Sequence, residues 1–307
     1  MTVALLLLLT WSGLLAGQIV ERPFLGVTHI ARSETHPRKV NMHIVLIDLE
    51  ARGIRFKLTS PAGPLETVRR TTLQFLNQEH AQVAINSHFF LPYPSRKPHS
   101  LLVGLAASNG AVYSAFESPR QSYALVADAP ALNIDARNRA SIVHRDKTIG
   151  DGKHVIENVT LWNAVSGSAQ IVTNGVKTIP VYADQQHPDG ALTPGGRRKY
   201  SNALSWYDVP TARTSIGLTE DTRTLVLFTV DRAAGSLGLK VGEVADLLIK
   251  EYAVYNALNL DGGGSTTLAM QNPVTGKGVV RNVPSDKRGV RPVASSLAVF
   301  AASAPPR

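Results

Sequence analysis

The sequence predicts a β-rich fold of the α+β (mixed α/β) class: a single domain with a mixed sheet and a few flanking helices. Segments with the length and β-branched content of strands clearly outnumber segments with helical periodicity. Gly (24) and Pro (18) are slightly frequent, which is typical of chains rich in strands and turns. A chain of 307 residues with 44% hydrophobic and 18% charged residues can bury a sizeable core, and this composition excludes a disordered protein.

The individual elements follow from local pattern and length. Strands are expected at residues 43–48, 82–86, 122–126, 169–172, 224–230, 257–260 and 293–300. Helices are expected at 67–78 and 241–252, where apolar residues return every three or four positions. The Pro-, Gly- and charge-rich stretches 91–99 and 184–202 predict loops. No long linker divides residues 20–303, so we expect one domain over 18–303.

The first seventeen residues have the pattern of a signal peptide. Their apolar run is short for a membrane span, and the small residues Ala16 and Gly17 suit a cleavage site. The segment contains no Lys or Arg, so a buried amino-terminal helix is the alternative. We therefore expect a secreted or periplasmic, extracytoplasmic protein without a stable membrane span. The absence of cysteine excludes thiolate metal sites, a cysteine nucleophile and disulfides.

The net charge of +9 suggests an anionic partner. The basic residues are scattered and accompany no nucleic-acid-binding motif, so we expect no nucleic-acid partner. A generally basic exported protein is the simpler interpretation of the charge alone.

Polar side chains follow three of the expected strands. Strand 224–230, helix 241–252 and strand 257–260 together have the size of a right-handed crossover with parallel strands. Asp231 and Asp261 would then emerge at the same rim, where α/β sheets bind ligands. Asn86 ends strand 82–86 and His88 comes just after it, in the same manner. Because acids and amides also favour strand-ending turns, a structural role is the alternative for each residue.

The glycine-rich run after Asp261 is the strongest single signal. Consecutive glycines are costly to order, and they persist where a ligand must approach the backbone or where φ is positive. The N–H groups of Gly262, Gly263, Gly264 and Ser265 could form an anion nest. The run lacks the Gly-Lys-Ser/Thr ending of a P-loop and the spacing of a dinucleotide fingerprint, and a tight structural turn is the alternative.

Two further segments contain residues that suit the binding of a sugar or a phosphate. The aromatic residues Phe89 and Phe90 follow Asn86 and His88 and could form a sugar-stacking wall. Arg213 and Thr214 enter an apolar strand, and the rigid fork of an arginine suits a phosphate.

Taken together, these segments resemble the phosphodiester glycosidase family from about residue 80 to 300. The matching motifs are Ala84-Ile85-Asn86 with Phe89-Phe90, Ser166-Gly167 with Asn174-Gly175, Arg213-Thr214-Ser215-Ile216-Gly217, Thr229-Val230-Asp231, Leu260-Asp261-Gly262-Gly263-Gly264-Ser265-Thr266 and Arg291-Pro292-Val293-Ala294. The chain departs from the family in two places. Ser87 and His88 replace residues that are usually small, and Arg232-Ala233 stand where Gly-Arg is frequent.

The resemblance implies hydrolysis at a glycosidic carbon whose leaving group is a phosphodiester, in a small-molecule or polymeric glycan. Asp261 and Asp231 are then the expected catalytic carboxylates, with His88 beside them. The expected substrate-binding residues are Asn86, Arg213, Thr214, Gly262, Gly263, Gly264, Ser265, Asn174 and Arg291. No cofactor or catalytic metal is expected, and structural calcium is left open.

Two other functions are compatible with the same residues. A non-catalytic glycan- or wall-binding module could use the same glycine-rich run. A metal-assisted phosphodiesterase could ligate a hard cation with Asp231, Asp261 and His88, although the sequence shows no dense cluster of ligands at metal spacing.

Overall fold

The computed structural model describes residues 17–36, 38–116, 128–179 and 209–304. The amino-terminal strands and hairpins are β1 (Gln18–Phe24), β2 (Val27–Glu34), β3 (Val40–Asp48), β4 (Arg55–Leu58), β5 (Thr67–Val68), β6 (Val83–Asn86), β7 (Phe90–Leu91), β8 (His99–Leu102), β9 (Ala106–Ser108) and β10 (Ala111–Ser114). The later strands are β11 (Ala131–Ile134), β12 (Ala140–Val143), β13 (Asn163–Ser166), β14 (Ala169–Thr173), β15 (Val176–Lys177), β16 (Arg213–Thr219), β17 (Thr224–Val230), β18 (Val254–Asn259), β19 (Leu268–Gln271), β20 (Gly278–Val280) and β21 (Ser296–Phe300). The helices are α1 (Thr72–Glu79) and α2 (Val241–Tyr252), and Gly263–Ser265 form one turn of 3-10 helix.

The strands form layered sheets. The largest sheet has the order β1-β2-β3-β17-β16-β18-β14-β15, and a second has the order β20-β19-β6-β21-β4. A third sheet has the order β10-β9-β13-β11-β12, and β5, β8 and β7 form a small fourth one. The β-rich α+β expectation therefore holds, with a larger share of strand than the sequence indicates.

The expected mixed sheet is wrong, because every neighbouring strand pair within the described residues is antiparallel. Strands β17 and β18 do run parallel, as the crossover requires, but β16 lies between them and pairs antiparallel with both. The two strand ends consequently lie on either side of the start of β16, where Arg213 pairs with Val230 and Ser215 with Asn259.

The main core lies between the largest sheet and the other sheets. It joins Ile216 of the largest sheet to Ile85 of the second and Val165 of the third. Helix α2 covers the opposite face of the largest sheet, and helix α1 covers the outer face of the second. Residues that alternate along β6 contact different layers, since Ile85 faces the main core and Ala84 faces α1.

The two helices show how far local pattern determines an element. Helix α2 has the expected bounds, because its apolar stripe is continuous and buries Val244 and Leu248. Helix α1 begins five residues later than expected, since the side chain of Thr71 accepts a hydrogen bond from the Gln74 N–H at 3.1 Å and caps the helix. Residues 67–68 instead pair with β8.

Of the other expected elements, some coincide with observed strands and some lie outside the described residues. Strands 43–48, 82–86, 169–172, 224–230, 257–260 and 293–300 lie within or overlap β3, β6, β14, β17, β18 and β21. The expected strand 122–126 and the loop 184–202 fall outside the described residues, as do residues 1–16 of the expected signal peptide. In the described part of the chain, no helix is both long and apolar enough to cross a bilayer.

Candidate active site

A cleft of about 290 Å³ opens at the end of the largest sheet. Its lining comprises Phe89, Phe90, Tyr93, Thr211, Arg213, Asp261, Gly262, Gly263, Gly264, Ser265 and Arg291. The cleft thus combines three aromatic rings, one carboxylate and two guanidinium groups, which is the mixture expected of a small sugar-binding site.

Asp261 lies in this cleft directly after β18. The backbone holds it from both sides, because its N–H donates to the Ser87 carbonyl at 2.9 Å and its carbonyl accepts from Asn86 Nδ2 at 2.6 Å. Burial raises the pKa of its carboxyl from 3.8 to about 7, despite opposing effects from the Ser265 hydroxyl, Arg291 and the Gly262 N–H. At neutral pH the carboxyl group can therefore either accept or donate a proton.

The glycine-rich run is a compact turn. The N–H of Gly263 donates to the Ala212 carbonyl at 2.8 Å, and the N–H of Ser265 donates to the Gly262 carbonyl at 3.1 Å. The N–H groups of Gly263 and Ser265 are thus used within the protein, and these hydrogen bonds give no support to an anion nest over the whole of Gly262–Ser265. The glycines instead allow close approach, since a Cβ at position 262 would lie 2.8 Å from the Ala212 carbonyl oxygen.

Arg291 supplies a cation to the cleft. A Cβ at position 264 would overlap its guanidinium group, so a side chain at this position would displace Arg291. Arg291 Nε donates to Asp286 Oδ2 at 2.8 Å, and Nη1 donates to Ser265 Oγ at 3.2 Å. The guanidinium also lies 5.0 Å from the centre of the Tyr93 ring. These contacts fix the group beside Asp261.

Arg213 is the second cation of the cleft, although it is almost completely buried. Its Nε donates to the Leu239 carbonyl at 3.0 Å and its Nη2 donates to the Val209 carbonyl at 2.5 Å. These carbonyls hold the side chain in one orientation, so part of its hydrogen-bonding capacity is structural.

Asn86 and Thr214 lie behind the cleft rather than in it. Asn86 is fully buried, and its Oδ1 accepts from Thr214 Oγ1 and from the Thr267 N–H, both at 2.9 Å. Together with the bond to the Asp261 carbonyl, these contacts join β6, β16 and the glycine-rich turn. Asn86 and Thr214 thus hold these segments together, and neither lines the cleft, so their position does not support the expected substrate contact.

Asp231 is at the expected rim but does not line the cleft. Only 1% of the residue is exposed, and its Oδ2 accepts from the Val283 N–H at 3.1 Å. Burial raises its pKa from 3.8 to about 6, and Oδ1 has no hydrogen-bond partner among the described residues. The crossover brings Asp231 and Asp261 to one edge, as expected, but the Asp231 carboxylate packs against residues 282–283.

His88 also lies outside the cleft, in the polar interior behind it. Its Nδ1 lies 3.0 Å from Ser295 Oγ, and its Nε2 lies 3.0 Å from both the Leu105 carbonyl and the Ser166 N–H. Burial lowers the pKa of the imidazole from 6.5 to about 4, so it is neutral at pH 7. Both ring nitrogens have structural partners, and the expectation of a catalytic His88 does not fit this position.

Asn174 is an expected site residue that does not line the cleft. It forms, with Gly175, the two-residue turn between β14 and β15, and both residues have positive φ (50° and 74°). An Asn-Gly pair is favoured in such hairpin turns. Because β14 is antiparallel to β18, this turn is at the opposite end of the sheet from Asp261, and its position does not support the expected substrate role.

The structure adds residues that the sequence pattern did not single out. Tyr93 completes the aromatic wall from the loop after Phe89 and Phe90, and Thr211 lines the cleft just before Arg213. Their nearness to motif residues was an available signal. Asp286 holds Arg291 from a loop with no distinctive pattern. Within the described ranges, no three His, Asp or Glu side chains form a metal-ligating group.

The comparisons with known proteins point to one family. A sequence profile described as phosphodiester glycosidase matches residues 79–300. The human N-acetylglucosamine-1-phosphodiester alpha-N-acetylglucosaminidase is 32% identical over 125 residues, which is 40% of this chain and 21% of the relative. The mouse protein of the same name is 30% identical over 152 residues, 47% of this chain and 26% of the relative. The matches thus span about a quarter or less of the length of these curated relatives.

A solved structure shows a similar fold. The zebrafish N-acetylglucosamine-1-phosphodiester alpha-N-acetylglucosaminidase catalytic domain, auto-inhibited by its pro-peptide, aligns with a TM-score of 0.61 at 20% identity. The alignment covers 91% of this chain and 84% of the zebrafish chain. Since the profile covers more than half of the sequence and includes Asp261, the glycine-rich turn and Arg291, the chain belongs to the phosphodiester glycosidase family.

Proposed function

We propose that this protein hydrolyses the bond between the anomeric carbon and the phosphodiester oxygen of a sugar-1-phosphodiester. The observation that carries the proposal is Asp261, the one carboxylate among the described residues that line the cleft, placed beside two guanidinium groups. A glycosidase needs a carboxylate at the sugar carbon, and a phosphate leaving group needs cations. Membership of the family supports the same reaction.

The cleft divides into two chemical parts. The rings of Phe89, Phe90 and Tyr93 offer apolar faces on which a sugar can stack. Arg291 and Arg213 offer positive charge to the phosphate. The substrate that fits this division is an N-acetylglucosamine-1-phosphate-type diester or a cell-wall or exopolysaccharide glycan containing that linkage.

The reaction requires little acid catalysis. When the C–O bond breaks, its electron pair leaves with the phosphodiester oxygen, and the guanidinium groups stabilise the departing anion. In our scheme, ionised Asp261 accepts a proton from the water whose oxygen bonds to the anomeric carbon. Asp231 lies outside the cleft, so it acts in this scheme through the position of residues 282–283.

The proposal extends to the location and limits of the protein. Residues 1–17 act as a signal peptide, the domain comprises residues 18–303, and the protein works outside the cytoplasm on a glycan substrate. The apolar run at 3–9 and the net charge of +9 support this part. Fractionation of cells that express the full chain, with amino-terminal sequencing of the product, tests it. A product in the cytoplasm that keeps Met1 would contradict it.

The reaction is tested with purified protein and a panel of sugar-1-phosphodiesters and p-nitrophenyl glycosides. Hydrolysis in ¹⁸O-labelled water should place the label on the sugar, because the C–O bond breaks. Label on the phosphate would instead indicate a phosphodiesterase, and binding without hydrolysis of any diester would indicate a non-catalytic module. Asp261→Asn should abolish turnover, whereas Asp246→Asn on the exposed face of α2 is a matched control that keeps it.

A further inference from the structure

A second groove adjoins the cleft. It has a volume of about 420 Å³ and shares Phe90, Tyr93 and Arg291 with the cleft as lining residues. A ligand that contacts Arg291 in the cleft can therefore extend past Tyr93 directly into this groove.

The groove is strongly basic. Five cationic residues line it against one acid, Asp286. That carboxylate is already occupied, since it accepts from Arg291 Nε at 2.8 Å and from the Arg288 N–H at 3.0 Å. These hydrogen bonds lower the pKa of Asp286, so its carboxylate remains ionised and bonded to Arg291 and Arg288.

The cations of the groove have different tasks. Arg69 is structural, because its Nη1 donates to the Ser95 carbonyl at 2.9 Å and its guanidinium packs over the Phe90 ring at 4.7 Å. Arg96 and Lys97 are exposed, and within the described ranges no carboxylate pairs with either. The side chain of Arg288 is 84% exposed, with its Nε 3.9 Å from Asp286. Arg96 and Lys97 thus present uncompensated positive charge to the groove, and Arg288 adds a third, highly exposed cation that shares Asp286 with Arg291.

We propose that this basic groove, defined by Arg96, Lys97 and Arg288, binds further phosphate on the leaving-group side of the substrate. The inference rests on the proposed function and narrows its substrate class to a phosphodiester-linked glycan chain. The scissile phosphate contacts Arg291, the sugar occupies the aromatic cleft, and the next phosphate along the chain lies in the groove. Like-charged side chains beside one another repel when no anion separates them, so an anionic ligand is the occupant that stabilises this arrangement.

Two substrates test the inference. Both carry the same sugar-1-phosphate; one is esterified to glycerol, and the other to glycerol that bears a second phosphodiester. We expect kcat/KM to be about tenfold higher for the second substrate at low salt, with most of this preference lost near ~0.5 M salt. Replacing the three cations together (R96Q, K97Q and R288Q) should abolish the preference and leave kcat/KM for the first substrate within about twofold.

A matched variant controls for the change in net charge. Arg137, Lys250 and Lys277 are exposed on the β11–β12 turn, on α2 and on the β19–β20 turn. Their joint replacement by Gln should keep the preference. Equal kcat/KM values for the two substrates in the unmodified protein, or a preference that survives in the groove variant, would overturn the inference.

Binding separates this inference from the reaction itself. Calorimetry with the Asp261→Asn protein should show tighter binding of the doubly charged diester, by about tenfold, and loss of that difference when the groove cations are also replaced. If neither diester is hydrolysed but the binding difference is present, the proposed hydrolytic function is refuted and phosphate binding by the groove is supported. If both diesters are hydrolysed and the binding difference is absent, phosphate binding by the groove is refuted and the proposed hydrolytic function is supported.

Discussion

Replacing Asp261 by asparagine removes the charge of the cleft carboxylate and keeps the shape of the side chain. Burial raises the pKa from 3.8 to about 7, so at about 1.4 kcal/mol per pH unit the ionised form is less stable in the folded protein by about 4 kcal/mol. The residue retains some solvent exposure, which screens the charge. We therefore expect Asp261→Asn to raise the free energy of unfolding by about 2 to 4 kcal/mol at about pH 8.

The sign follows from the direction of the pKa change. A carboxyl whose pKa is higher in the folded state favours folding at low pH, and this contribution is lost as the pH rises from 3.8 through about 7. The gain from the substitution should therefore disappear near about pH 4. Urea denaturation of both proteins across this range measures the difference, and comparing them cancels the titration of other groups such as Asp231.

The same variant should lose activity. Without a carboxylate to accept the proton of water, we expect kcat to fall by at least about a thousandfold. In the unmodified protein, kcat/KM should rise with pH through about 7, because the base must be ionised. A variant that is no more stable than the unmodified protein at about pH 8 would refute the electrostatic reasoning. A variant that retains activity within about tenfold would refute the role of Asp261.

Three further outcomes are expected. Gly264→Ala should lower kcat/KM about ten- to hundredfold, because the new Cβ displaces the Arg291 guanidinium, and the midpoint of urea denaturation should change little. An unchanged kcat/KM would show that Arg291 does not act in the cleft. Asn86→Ala should reduce the free energy of unfolding by about 3 kcal/mol, since three hydrogen bonds are lost and two of them are fully buried. Asn174→Ala in the exposed turn should cost about 1 kcal/mol or less, and equal losses of the two variants in urea denaturation would contradict this expectation. In the unmodified protein, charging of the buried His88 imidazole should lower the free energy of unfolding as the pH falls from about 6.5 toward 4, and His88→Gln should reduce this loss. Parallel pH profiles of the free energy of unfolding for the two proteins would count against this expectation.

The sequence predicted the elements whose pattern is local and long. Helix α2 repeats its apolar residues over three turns, and β17 is a continuous apolar run, so both were recognised with their bounds. The short strands of the third sheet, such as β9 and β13, carry small and polar residues and are held by pairing with distant segments. Local pattern contains little information on such pairing, and these strands were not predicted.

The order of the largest sheet was also beyond local pattern. The spacing of β17, α2 and β18 indicated a crossover with parallel strands, and this orientation is correct. That β16 inserts between them depends on hydrogen bonds between segments far apart in the chain. The expected mixed sheet failed for this reason.

The sequence by itself determined where the candidate site lies. An aspartate at a strand end followed by consecutive glycines is a local feature with a local cause, and the structure places Asp261, Arg213 and Arg291 around one cleft. What tertiary structure decided is how each polar group uses its hydrogen bonds. Asn86, Thr214, His88 and Asp231 all lie at or next to strand ends and look alike in sequence. Neighbours from other segments nevertheless bury them or take up their hydrogen bonds. Those neighbours are set by packing between sheets, because burial and hydrogen-bond partners are non-local properties that no run of adjacent residues encodes.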